Sequence, residues 1–187
     1  MRLHDLFADI LDPPKPFLSQ QVTECVFLLS SRQQEAAGLM NQFRTVLDQT
    51  PLSQMGEIYA GTFGPEAICY PYVGYHLFGD GSQRRMFLAG LEEQYQIYHF
   101  SAADEVPDHL GIMLRFLATI GDEEEKEEMT FLYVLPAMKR MLRGFVDRRT
   151  PYKGVLQALS LVLREEQETQ SDQIPEGREV PKFPYSR

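Results

Sequence analysis

Two adjacent side chains, Asp108 and His109, combine the residue types that could do chemistry in this sequence, and Glu105 and Pro107 lie just before them. A carboxylate beside an imidazole can hold a cationic or hydrogen-bonding group where free N–H groups of a helix start converge. The same pair can also be an ordinary helix start, with Asp108 satisfying the backbone and His109 half buried. The local sequence leaves both interpretations open.

An enzyme could use Asp108 and His109 as acid and base, together with the glutamates between residues 123 and 128. It would also need a nucleophile, a metal or a phosphate-binding loop. The sequence has no G-x-x-x-x-G-K-[ST] loop, dinucleotide fingerprint or H-E-x-x-H motif, and its 4 histidines lack close metal spacing. Because these motifs are absent, a small helical hydrolase or nucleotide-binding enzyme is only the alternative function. We predict no catalytic residue, no metal ligand and no cofactor.

The apolar residues after His109 predict the helix that positions this pair. They are Leu110, Met113, Leu114, Leu117 and Ile120, which share one face of an α-helix. Pro107 suits the first helical position, because its φ is fixed and its missing N–H is not needed there. An acid in the first turn is favoured by the helix dipole. We therefore expect the helix to begin at Pro107, with Asp108 and His109 at its N-terminus.

Helical spacing of apolar residues continues along most of the chain, and no segment alternates apolar and polar residues as a strand does. Ser31 and Gln34 have the spacing of a capping box. Thr50-Pro51 and Thr150-Pro151 each predict an N-cap followed by the first helical residue. An apolar period runs through Pro136, which fits one kinked helix or two helices. We predict an all-α fold, a single bundle of about seven to nine helices.

An aromatic segment containing Tyr72, Tyr75 and Phe78 ends at Gly79, which predicts one or two helical turns. Tyrosine presents an apolar body with a polar tip. The segment could therefore belong to the core or form part of a hydrophobic binding wall.

The chain has 187 residues and a net charge of −9, which argues against nucleic acid or an anionic membrane as the main partner. A basic peptide would be attracted instead. No apolar run approaches the ~20 residues that span a bilayer, so we expect a cytoplasmic protein. Cys25 and Cys69 are expected to be buried and free. We predict a helical domain over residues 1–166 and a polar tail over 167–187.

Four stretches in order, residues 57–63, 72–80, 84–86 and 105–110, resemble the delta-subunit or NarJ-type assembly chaperones of nitrate reductase. These chaperones belong with the wider TorD and DmsD group of redox-enzyme maturation proteins. The resemblance covers residues 52–117 well and the rest by helix order alone. The tyrosine-rich segment and the Pro-Asp-His-Leu element are its most specific parts.

The resemblance implies an all-helical, cytoplasmic, system-specific chaperone without catalytic activity. Such a protein binds the catalytic subunit of a molybdopterin-dependent oxidoreductase, recognises its N-terminal twin-arginine or leader peptide, and holds the apo form until molybdenum cofactor insertion and assembly. In the family, the acid and histidine of the Pro-Asp-His element are implicated in peptide recognition. The predicted peptide-binding residues are Tyr59, Tyr72, Tyr75, Phe78, Glu105, Pro107, Asp108 and His109.

The physical properties of the chain agree with this implied partner. A leader peptide offers arginines followed by an apolar run, which an acidic protein with a carboxylate beside an aromatic groove would complement. The client stays open between a nitrate reductase and a relative acting on a sulfoxide, selenate or chlorate. An oligomerisation adaptor is a third function, and a homodimer also stays open, because helical bundles can exchange helices.

Overall fold

The computed structural model describes residues 3–66, 68–145 and 149–171. These residues form nine helices and no strand, which confirms the all-α class and the predicted helix number. The helices are α1 Leu3–Ile10, α2 Leu18–Ser30, α3 Gln34–Gln49, α4 Leu52–Phe63, α5 Val73–Phe78, α6 Ser82–Ile97, α7 Leu110–Thr119, α8 123–143 and α9 Tyr152–Ser171.

Helix α7 begins at Leu110, so the prediction that Pro107 occupies its first position is wrong. His109 is the N-cap residue instead, with extended backbone angles (φ −62°, ψ 130°). Residues 107–109 stay out of the helix because a backbone bridge pairs them with residues 71–73. A tertiary contact therefore moves the helix start past the position that the local signals favoured.

The N-caps predicted for α3, α4 and α9 agree with the structure only at α9. The Ser31–Gln34 capping box does not form, since α3 begins at Gln34 with no side-chain cap. The prediction of Thr50 as the N-cap of α4 is wrong, since the N-cap is Pro51 and the Thr50 hydroxyl donates instead to the Val46 carbonyl of α3. At α9, the backbone N–H of Tyr152 donates to the Thr150 hydroxyl at 3.4 Å, as a capping threonine requires.

Helix α8 resolves the two alternatives at Pro136. It runs without a break through an α-helical part (Glu123–Met129), a π-helical turn (Thr130–Val134) and a second α-helical part (Leu135–Arg143). Proline has no N–H, so an α-helical hydrogen bond is lost at this point. The wider π turn changes the hydrogen-bond register just before Pro136.

The core joins the helices that support the tyrosine-rich region. The Tyr152 ring is fully buried and contacts the rings of Phe43, Tyr59 and Phe63, with centroid distances of 5.1, 5.6 and 5.3 Å. Helix α9 packs on α3, α3 on α2, α2 on α1 and α1 on α7. Helix α5 packs on α6 and on both parts of α8 that follow Met129. The segments around Tyr72 and His109 are therefore held from two sides.

Cys25 and Cys69 are buried and free, as predicted. Burial raises the pKa of each thiol to about 12. Helix α9, over Tyr152–Ser171, includes residues 167–171 of the predicted tail. The rest of the predicted tail, residues 172–187, lies outside the described residues. None of the helices described here is both long and apolar enough to cross a membrane.

Candidate functional site

A short antiparallel backbone bridge brings the tyrosine-rich segment against the Pro-Asp-His element. The Val73 N–H donates to the Asp108 carbonyl at 2.8 Å, and the Leu110 N–H donates to the Pro71 carbonyl at 2.8 Å. Because Val73 and Leu110 are the first residues of α5 and α7, the bridge holds these two helix starts side by side. The two sequence elements predicted to share a site therefore do meet.

Asp108 lies beneath this bridge rather than at the surface. Its side chain is 0 % exposed and accepts two hydrogen bonds from Arg84, Nε to Oδ2 at 2.9 Å and Nη2 to Oδ1 at 3.0 Å. Such a two-pronged pair is the strongest geometry for a guanidinium and a carboxylate. Both oxygens of Asp108 are thus engaged inside the protein. Arg84 was absent from the predicted site residues, although it lies in a stretch that carried the resemblance.

The surroundings of Arg84 explain why a glycine occurs at position 74. The guanidinium lies 5.3 Å from the centroid of the Tyr72 ring and 6.0 Å from that of Tyr75, within range of cation–π attraction. A Cβ atom on Gly74 would lie 2.7 Å from Asp108 Oδ2 and 2.8 Å from a Phe87 ring carbon. Any larger residue at position 74 would require Asp108 or Phe87 to shift.

His109 is also buried, at 6 % exposed, and it caps α7. Its Nδ1 accepts a hydrogen bond from the Gly111 N–H at 3.2 Å, which requires Nδ1 to be unprotonated. Burial lowers the pKa of His109, opposed by the nearby carboxylates of Glu105 and Asp12. The neutral imidazole therefore has a defined structural role as a helix cap.

Arg115 connects α7 to the end of α1 and to the residues that follow it. Its Nη2 donates to Asp9 Oδ1 at 2.9 Å and to Asp12 Oδ2 at 2.8 Å. All three side chains are partly exposed. Asp12, one of the acids near His109, is therefore already paired with Arg115, which was also absent from the predicted site residues.

Three of the predicted residues, Tyr59, Tyr72 and Glu105, share an accessible surface, which we call the tyrosine–glutamate face. Glu105 is exposed and the two tyrosines are half-buried. Burial and then the Glu105 carboxylate raise the pKa of Tyr72. Burial and the charges of Asp12 and Glu105 raise the pKa of Tyr59, whose hydroxyl donates to the Leu11 carbonyl. The three side chains are therefore near enough for their charges to affect one another.

Tyr75 and Phe78 are half-buried and belong to a different group of rings. Tyr75 contacts Tyr70 at a centroid distance of 5.1 Å, and Phe78 contacts Phe87 at 5.4 Å. Phe87 in turn contacts Tyr133 of α8 at 5.0 Å. Phe78 therefore packs between helices, whereas Tyr72 lies on the tyrosine–glutamate face, and a role of the segment in binding stays a prediction.

The hollows on the described surface include one that reaches the predicted site. It has a volume of about 290 Å³ and is lined in part by Glu105 and Pro107. A hollow of about 420 Å³ lies between α1, α2 and α9, and one of about 400 Å³ lies between α3 and the start of α9. Asp108 and His109 line none of these three hollows.

Comparison with the sequence models of known families shows to which family the chain belongs. The sequence model described as nitrate reductase delta subunit matches residues 30–152. The chain belongs to the nitrate reductase delta subunit family. The match includes all eight predicted site residues, and it confirms the resemblance seen in the sequence. No match was found among the curated proteins.

Membership of the nitrate reductase delta subunit family supports a chaperone role in nitrate reductase maturation rather than catalysis. Within the predicted site, Asp108 accepts hydrogen bonds from Arg84, and His109 Nδ1 accepts one from the Gly111 N–H. Among residues 3–66, 68–145 and 149–171, no group of three or more His, Cys, Asp or Glu could hold a metal ion.

Proposed function

We propose that this protein is a system-specific chaperone for the catalytic subunit of a molybdopterin-dependent oxidoreductase of the nitrate reductase type. It binds the N-terminal twin-arginine or leader peptide and the apo form of that subunit in the cytoplasm. It releases the subunit after molybdenum cofactor insertion, for assembly of the complex. The observation that carries the proposal is the family match over residues 30–152, which contains the whole predicted site.

The chemistry of the tyrosine–glutamate face supports peptide recognition. Glu105 is exposed on a chain with a net charge of −9, so arginine side chains are attracted to it. Tyr59 and Tyr72 offer apolar ring surface with polar edges, which suits both an arginine side chain and the apolar residues that follow it. Pro107, Tyr75 and Phe78 remain proposed contacts through their half-buried side chains.

Asp108 and His109 contribute to this function by positioning other groups. Asp108 fixes Arg84, whose guanidinium lies against the rings of Tyr72 and Tyr75. His109 lies beneath Tyr72 in an edge-on ring contact with a centroid distance of 5.7 Å. Changes at either position therefore act on the peptide through the placement of Tyr72.

Copurification with the catalytic subunit tests the proposal. The tagged protein is coexpressed with a nitrate reductase catalytic subunit in cells that do or do not make the molybdenum cofactor. We expect the apo subunit to copurify with the tagged protein, and the cofactor-loaded subunit to copurify much less. Equal recovery of both forms, or recovery of neither, would contradict the proposal.

A charge reversal tests the predicted contact. Glu105→Lys should weaken binding of the subunit's N-terminal peptide about tenfold, a typical cost of removing one favourable charge contact and adding a repulsive one. Asp48→Lys is the matched control, because Asp48 is also exposed and lies near the end of α3. Both variants change the net charge equally, so calorimetry should show a loss for Glu105→Lys alone.

A further inference from the structure

We propose that the hollow between the second half of α6 and the loop before α7 binds one basic side chain of the client's leader peptide together with a neighbouring apolar residue. We call it the α6 groove, and its lining includes Glu92, Gln96, Phe100, Ala102, Glu105 and Pro107. This inference rests on the proposed function and locates the peptide more closely. Glu105 belongs to both the tyrosine–glutamate face and the groove, so the two surfaces are continuous.

The walls of the groove are held by hydrogen bonds before any peptide arrives. Helix α6 ends with the Phe100 N–H donating to the Tyr95 carbonyl at 2.8 Å and the His99 N–H donating to the Gln96 carbonyl at 3.1 Å. His99 has a φ of 51°, as the residue after such a helix end requires. The Phe100 ring packs on the Tyr95 ring at 4.9 Å.

The opposite wall is held by the same tyrosine. The Tyr95 hydroxyl donates to the Pro107 carbonyl at 2.7 Å, which fixes the chain between the groove and α7. Tyr95 is buried, so this link is shielded from water. A groove fixed in this way loses little conformational entropy when it binds a peptide.

The charge of the groove favours a cation. Glu92 and Glu105 are both exposed, and the neighbouring Asp104 is exposed as well. No lysine or arginine occurs among the described residues that line the groove. A guanidinium or ammonium group would therefore meet carboxylates without a competing positive charge.

The lining itself includes the apolar residues Phe100, Ala102 and Pro107, and two exposed aliphatic residues are next to lining residues in the sequence. Ile97 is 67 % exposed and follows Gln96, which lines the groove. Val106 is 36 % exposed and lies between two lining residues, Glu105 and Pro107. A leader peptide, with arginines followed by an apolar run, would pair with the carboxylates and cover these aliphatic side chains.

Tryptophan fluorescence of a synthetic peptide tests the inference. The peptide has two consecutive arginines, a leucine- and alanine-rich run and one tryptophan; since the protein has 0 tryptophans, the signal comes from the peptide alone. Glu92→Lys should raise its Kd about tenfold, and Ile97→Ser should raise it about fivefold. Replacing both peptide arginines with glutamine should weaken binding at least as much as Glu92→Lys does.

Two control variants separate the groove from general effects. Asp48→Lys changes the net charge as Glu92→Lys does, and Phe27→Ser removes a side chain that is 77 % exposed on α2. Each should leave the Kd within about twofold of the unsubstituted protein. Circular dichroism and urea midpoints should show that all four variants remain folded.

The possible outcomes distinguish a failure of the groove assignment from a failure of the proposed chaperone function. Equal losses for Glu92→Lys and Asp48→Lys, or no binding of the peptide by the unsubstituted protein, would overturn the groove assignment. Copurification of the apo catalytic subunit does not use the synthetic peptide, so it decides the chaperone function separately. A protein that retains the subunit but ignores both groove substitutions is a chaperone with its peptide site elsewhere.

Discussion

At the scale of single residues, the Arg84–Asp108 ion pair is the main feature that the local sequence conceals. Burying both charges costs several kcal/mol of hydration free energy, which the two hydrogen bonds and the attraction between the charges must offset. Asp108 is fully buried, while the Arg84 side chain is 15 % exposed. Removing the arginine would therefore leave a buried carboxylate without its partner.

Arg84→Ala should lower the free energy of unfolding by about 3–5 kcal/mol, the usual cost of breaking a buried pair from one side. Arg85→Ala is the matched control, since Arg85 is the exposed neighbour on the same helix and should change stability by less than about 0.5 kcal/mol. Urea unfolding measures both values. Similar small losses in the two variants would mean that the pair contributes little.

The pKa of His109 predicts how stability changes with pH. Burial holds this pKa below its ordinary value of about 6.5, so the unfolded chain takes up the proton first as the pH falls. Stability should therefore decrease from about pH 7 downwards, until the pH passes the folded-state pKa. Protonation of Nδ1 would also remove the cap on the Gly111 N–H.

His109→Asn should reduce this pH dependence, because an asparagine oxygen can accept the same Gly111 hydrogen bond without titrating. The measurement is the urea midpoint at about pH 7.5 and about pH 5.5. Burial also lowers the pKa of His76, so some dependence remains in both proteins. Equal losses of stability on acidification in variant and parent would contradict the role assigned to His109.

The sequence could predict the importance of residues 105–110 but not the arrangement of their side chains. An acid just before the apolar stripe of a helix is favoured in the first helical turn, and the sequence predicted that place for Asp108. Its partner Arg84 is 24 residues away, and local spacing carries no signal for such a contact. The carboxylate that is exposed to solvent is that of Glu105, and the local sequence could not show that Glu105 would be exposed and Asp108 buried.

At the scale of the elements, apolar periodicity predicted the helices better than the capping signals predicted their ends. The stripe from Leu110 to Ile120 gave α7 correctly, because burial of one face decides whether a helix forms. The start of α7 depends instead on the bridge to residues 71–73, which is a tertiary contact. The apolar period through Pro136 likewise predicted a helix there, but not that a π turn at Thr130–Val134 would precede the proline and that α5 would pack on it.

The approach of α5 to α6 gives a prediction about glycine. Gly74→Ala should destabilise the protein by about 1–3 kcal/mol, because the added Cβ would press on the Asp108 carboxylate and the Phe87 ring. Gly56→Ala is the matched control in α4, where a Cβ would meet nothing within 4 Å. It should stabilise the protein by about 0.5–1 kcal/mol through helix propensity alone.

Urea midpoints measure both glycine variants, and their opposite signs make the comparison independent of small errors in either value. A neutral result for Gly74→Ala would mean that Asp108 and Phe87 can move apart at little cost. In that case the ion pair would not require a glycine beneath it.

At the scale of the whole molecule, composition and periodicity predicted the all-α class, while the concave surfaces depended on packing. The α6 groove exists because Tyr95 contacts both Phe100 and the carbonyl of Pro107, and these residues come from a helix, a loop and the segment before α7. The net charge of −9 was readable from the sequence and acts at longer range. This negative charge should raise the rate at which a basic client peptide reaches the site.

Association of the basic synthetic peptide should slow markedly as salt rises. The rate constant for association should fall about tenfold between about 50 and 500 mM NaCl, while the dissociation rate constant changes less than about threefold, because salt screens long-range attraction more than close contacts. Stopped-flow measurement of the peptide tryptophan gives both constants. The peptide with glutamine in place of its arginines is the control and should associate at a nearly constant rate. A salt effect confined to dissociation would instead assign the charge dependence to direct contacts such as those proposed for Glu92 and Glu105, and would contradict steering by the net charge.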